Sequence, residues 1–239
     1  MYINDIHILY YLGFGILGII VGQLIDWCNI TLSEHKQVFS KDFFKIYLKN
    51  FKPKYMLIII TAYLYIGVLY FFGLNDVRTY EYLCLIPIII CAFCIDYKKQ
   101  IIPNRLSLTL LEVGLFFAFI EGITNLNIAI DKAVGFVIGM LIMLLITLVG
   151  NLISKKESIG FGDVKLISVL GLFFGWKNII AISAMSFLLA AIISIFLIIL
   201  KKKKANEYIA FGPFIVISSI IIIFIPVETM VISLLSLGS

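Results

Sequence analysis

Charge is what this chain has least of. Only 14% of its 239 residues are Asp, Glu, Lys or Arg, while 62% are hydrophobic and the mean hydropathy is +1.11. Soluble domains carry roughly 25% charge and about 45–50% apolar residues, so an ordinary soluble fold is excluded. Cysteine is also scarce, with four residues. Cys91 and Cys94 have zinc-like spacing but sit inside an apolar block with no second pair beside them, and with Cys84 they read as small buried hydrophobes. The two histidines, His7 and His35, stand outside any cluster and read as solvated. Internal repeats and low-complexity linkers are missing. The first apolar block has neither a basic flank nor an A-x-A-like cleavage site, and is expected to stay as an anchor.

What is present comes in long apolar blocks. A block of about 20 apolar residues crosses the roughly 30 Å hydrocarbon core as a helix. Blocks at about 6–25, 55–74, 80–95, 105–123, 130–152, 164–176, 178–200 and 209–235 predict an all-α, polytopic membrane protein of about eight spans. Residues 1–239 are read as one membrane-embedded domain with a short basic loop at about 26–54, where Asp26 and the lysines form a solvated surface. Basic residues concentrate on the cytoplasmic side of membrane proteins. Of the 19 here, only Arg78, Lys132 and Lys177 fall on the side opposite Lys98, Lys99, Arg105, Lys165 and Lys201 to Lys204. Both termini are therefore expected outside, and the partners are the lipid bilayer and membrane peptides, with no nucleic acid. The sixth block is short enough to suit a re-entrant segment as well as a span.

Against this apolar background two carboxylates stand out. Asp163 lies in Gly160-Phe161-Gly162-Asp163-Val164-Lys165, and Asp96 precedes Tyr97-Lys98-Lys99-Gln100-Ile101-Ile102-Pro103-Asn104. Both are expected at the cytoplasmic membrane face. Acids within membrane segments are costly and usually functional, and a pair of them can share a proton and activate water. Gly160 and Gly162 clear side chains from around Asp163. Asp163 suits the N-cap of the sixth helix, whose positive end favours its ionised form, whereas Asp96 ends the third helix, where the negative end opposes ionisation. Lys165 adds a positive field or anchors topology. Glu112, inside the fourth block, is read as a buried acid without an obvious role.

Taken together these residues resemble the type IV prepilin peptidases. Asp96 with Pro103 seven residues on looks like that family's first-aspartate motif, Gly160 to Lys165 fits its GxGDxK motif, and Phe211-Gly212-Pro213 is similar to a C-terminal Phe-Gly-Pro element. The resemblance implies a plasma-membrane aspartyl endopeptidase, free of cofactors, that cuts the leader from prepilins or pseudopilins at the cytoplasmic face. It implies Asp96 and Asp163 as catalytic residues, supported by Gly160, Gly162, Lys165, Pro103 and Asn104. Many members also methylate the new N-terminus and carry two Cys-x-x-Cys pairs in the first loop. Here that loop holds only Cys28, which puts methylation in doubt. Other readings are a GxGD protease acting on different membrane-anchored peptides, or a proton-coupled transporter, whose site should lie nearer the bilayer midplane.

Overall fold

A computed structural model describes residues 2–4, 6–33, 54–154, 160–201 and 209–229. Most of the basic loop at 26–54, together with Lys155, Lys156 and Lys202 to Lys204, lies outside the described residues. A two-residue antiparallel ladder, β1 (Tyr2–Ile3) with β2 (Ile6–His7), precedes seven helical elements. These are α1 (Ile8–Ser33), α2 (Tyr55–Phe72), α3 (Val77–Lys99), α4 (Asn104–Thr124), α5 (Leu126–Ser154), α6 (Phe161–Ile199) and α7 (Gly212–Phe224). Helices α1 to α6 are long and apolar enough to cross a membrane, and α7 is a shorter apolar helix. The protein is thus an all-α multi-pass membrane protein.

The chain forms two compact units, Met1–Ile95 and Asp96–Ser239. In the first, Gly18 and Gly22 let α1 lie directly against α2. An added Cβ at Gly18 would come 2.9 Å from the Ala62 nitrogen, and one at Gly22 would strike the Thr61 hydroxyl. The Thr61 hydroxyl also donates to the Gly18 carbonyl at 2.8 Å, closing a small-residue helix interface. Helix α1 continues beyond the expected end of its block, and Asp26 is buried in an ion pair with Lys54, not solvated as the sequence suggested. Pro87 interrupts α3, and the carbonyl four residues before it, Leu83, would lose its intrahelical donor. The Tyr65 hydroxyl supplies one at 2.8 Å, as backbone away from water requires.

In the second unit α5 packs closely on α6. A Cβ on Gly135 would lie 2.5 Å from the Gly171 carbonyl, so only glycine permits this approach. Helix α6 is two arms, 161–174 and 176–199, divided at Gly175, whose φ of 71° and ψ of 177° lie outside the helical range. A Cβ on Gly139 would meet both the Ile167 carbonyl, at 2.9 Å, and the Ile179 side chain, at 3.2 Å. In one straight helix those two residues would be about 18 Å apart. The arms therefore fold back on each other, which matches the separate sixth and seventh blocks read from the sequence. The first arm extends only about 21 Å, short of the roughly 30 Å hydrocarbon thickness. At the break the Asp131 carboxylate accepts the Trp176 N–H, and the Asn178 amide donates to the Phe174 carbonyl at 3.0 Å.

One charge pair is buried here. Lys132 at the start of α5 meets Glu121 at the end of α4 at 2.5 Å, both largely shielded. Removing one partner leaves a buried charge uncompensated. Lys132→Met should therefore cost about 3–5 kcal/mol, and Glu121→Leu added to it should restore most of that stability. Thermal unfolding of the purified variants reads both, and equal stability of the single and double variants would contradict the expectation.

Candidate active site

Asp96 occupies the last turn of α3. That helix stops because Gln100 takes a left-handed conformation, φ 55°, with its N–H donating to the Asp96 carbonyl at 2.8 Å. The chain then runs through Ile101 and Ile102 to Pro103, which has φ −63° and ψ 135° and starts α4 by accepting the Leu106 N–H at 3.0 Å. A proline here keeps Ile102 extended, so the turn has little freedom. The Asp96 side chain is 4% exposed, and its Oδ2 accepts the backbone N–H of Gly212 at 2.9 Å. Gly212 opens α7, where the first N–H groups lack intrahelical acceptors and the helix end is positive. A Cβ on Gly212 would sit 2.6 Å from that same oxygen, so glycine is required for the carboxylate to come this close.

Asp163 is also 4% exposed. It is not the N-cap residue. Gly160, with φ −68° and ψ 141°, is the N-cap, while Asp163 lies in the first turn with its N–H on the Gly160 carbonyl at 3.0 Å. Its buried carboxyl accepts the Gly160 backbone N–H, and its Oδ1 has no hydrogen-bond partner among the described residues. The two carboxyl groups are close enough for the charge of Asp96 to act on Asp163. Gly162 brings the two motifs together: a Cβ there would lie 3.1 Å from Cβ of Ile102, so the turn before Pro103 rests on the start of α6.

Lys165 has a different place from the one its charge suggested. Its Nζ donates to Asn104 Oδ1 at 2.9 Å and lies 5.2 Å from the centre of the Phe161 ring. It ties the start of α4 to the start of α6, so it and Asn104 hold the two motif segments in register. Glu112 is exposed on α4, not buried. Cys91 is buried and Cys94 partly so, but Cys84 is exposed, contrary to its reading as a buried hydrophobe. Among the described residues no group of three or more His, Cys, Asp or Glu could hold a metal ion. Gly212 is the residue to which the sequence reading assigned no role. The Phe-Gly-Pro element was its signal, and the hydrogen bond to Asp96 is its use.

A helical membrane protein with two buried, mutually interacting aspartates at the ends of neighbouring motifs is the class that fold and site define. Residues 83–195, a segment that contains both aspartates, match the model of the type IV leader peptidase family. The chain is 32% identical over 136 residues to a prepilin leader peptidase/N-methyltransferase of Aeromonas hydrophila, covering 57% of this chain and 46% of the relative. It is 30% identical over 171 residues to the protein so named in Pectobacterium carotovorum subsp. carotovorum, covering 70% and 58%, and 32% identical over 130 residues to that of Escherichia coli K12, covering 53% and 55%. The chain thus spans about half the length of the curated relatives it matches. No solved structure matches it.

Proposed function

We propose that this chain is an aspartyl endopeptidase of the plasma membrane that removes the leader peptide of prepilins or pseudopilins at the cytoplasmic face. The observation that carries the reading is the pair of buried, mutually interacting carboxyl groups, Asp96 on the N–H of distant Gly212 and Asp163 with one open oxygen, inside the segment that matches the leader peptidase family. Asp96, facing the N-terminus of α7, serves as the carboxylate and takes a proton from the attacking water. Asp163 carries the proton at its unpartnered side and passes it to the scissile carbonyl oxygen as water adds. On collapse the C–N bond breaks, the leaving amine takes the proton from Asp96, and Asp163 regains one from a diol hydroxyl. This reverses the order that the helix ends alone suggested, because α7 brings a second, positive helix end to Asp96.

Co-expression with a prepilin, followed by mass spectrometry of the pilin, tests this. The expected product has lost its leader and carries an unmodified N-terminus, since the first loop holds a single cysteine where a four-thiolate zinc centre needs four. A prepilin of unchanged mass would sink the peptidase reading. An added methyl group, about 14 Da, would show that the chain methylates without such a centre.

The orientation has its own measurement. Cysteines placed near residues 40, 157 and 203 should be shielded from an impermeant thiol reagent applied to intact cells, and one near 127 should react. Labelling at 203 alone among the first three would invert the segments after the α6 break.

A further inference from the structure

At the Lys165–Asn104 contact the second unit has an open groove of about 340 Å³, formed by α4, α5 and the first arm of α6. Its length is apolar, with Leu111, Met140, Leu144 and Val169 among its walls. Its other end is polar: Asn104 and Lys165 line it there, and so does Val164, the residue next to Asp163.

Ser107 sets the groove apart from a lipid-filled crevice. It lines the groove, is 6% exposed, and its hydroxyl oxygen has no hydrogen-bond partner among the described residues. Serines in apolar helices usually donate to the carbonyl four residues back. Ser168, Ser183, Ser186 and Ser219 do so here at 2.6 to 2.8 Å. Ser107 does not, although Pro103 is its fourth residue back and that carbonyl accepts the Leu106 and Ser107 N–H groups.

We propose that the groove receives one face of the substrate's apolar helix, which in the prepilins that the family resemblance implies follows the scissile bond directly. This rests on the peptidase reading and adds which helices hold the substrate. A helix entering hydrocarbon right after a cleavage site has N–H groups in its first turn without intrahelical acceptors. The Ser107 oxygen accepts one of them, and the apolar walls take side chains at helical spacing, in the manner of a helix laid in a groove. The volume suits a few large side chains of one face. The Lys165–Asn104 pair stands at the junction between extended leader and helix.

The test uses the full chain in vesicles of phosphatidylethanolamine and phosphatidylglycerol, with a prepilin that retains its apolar helix. In an Asp163→Asn background, p-benzoylphenylalanine at position 140 should cross-link to the first turns of the substrate helix on irradiation. Lipid adducts alone would overturn the proposal. In the active enzyme Ser107→Ala should raise KM about 3- to 10-fold with little change in kcat, the size expected for one lost hydrogen bond. Met140→Trp, which fills the groove, should raise KM about 10-fold or more. Leu152→Trp, on an 80% exposed position of α5, should leave it unchanged. If the wild type cleaves prepilin and the groove variants keep its KM, this proposal fails alone; if the wild type cleaves no prepilin, the peptidase reading fails with it.

Discussion

Asp163→Asn and Asp96→Asn should each reduce leader cleavage by about 10³-fold or more, because each removes one half of the proton exchange. The substitutions are chosen so that the loss reports chemistry and not collapse. Asparagine keeps the shape of aspartate, and at position 96 its amide oxygen can still accept the Gly212 N–H. At position 163 the buried side chain is the protonated one, and a neutral amide of the same shape takes its place without adding a buried charge. Both variants should therefore insert into the membrane and unfold at or above the temperature of the wild type. Cleavage at even a tenth of the wild-type rate by either variant would refute the dyad.

The second large effect is expected at a residue that touches no substrate. Gly212→Ala would place a methyl carbon 2.6 Å from Asp96 Oδ2 and 3.0 Å from its Cγ. Contacts of that length are not tolerated, so either the carboxylate or the start of α7 must move. Displacement of a reacting group by about 1 Å costs roughly 100-fold, and kcat should fall by about that amount while the fold persists. Gly162→Ala, whose Cβ would meet Ile102 at 3.1 Å, should cost less. Gly13→Ala, with nothing within 4 Å, should cost nothing. A Gly212→Ala enzyme with wild-type kcat would show that the hydrogen bond to Asp96 does not position it.

Much of this was legible before any coordinates. Long uncharged blocks leave only helices, since backbone in hydrocarbon must satisfy its own polar groups; the blocks between 55 and 152 fell close to the helices observed, whereas the first helix runs on to Ser33 and the expected last span at 209–235 is the shorter helix Gly212–Phe224. The break between the sixth and seventh blocks was readable from Lys177, and lies two residues earlier at Gly175. Asp96 and Asp163 were conspicuous because charge is rare here, and each sits within a dense local motif. Gly160, Gly162 and Pro103 were readable for the same reason: their effects are on backbone shape within a few residues.

The errors share one cause. Asp163 as the N-cap, Asp26 as a solvated acid, and Glu112 and Cys84 as buried groups were each read from their own segment. Where a side chain points depends on which helix packs beside it. Asp26 is buried because Lys54 meets it, and Lys165 turns to Asn104, 61 residues away. The decisive contact, Gly212 N–H to Asp96, joins residues 116 apart. By itself the sequence determined that the chain is helical and membrane-embedded and singled out Asp96 and Asp163 as candidate acids, because those follow from local composition and spacing. Only the packing of α7 against the end of α3 decided that Asp96 accepts the N–H of Gly212, a contact no local segment contains.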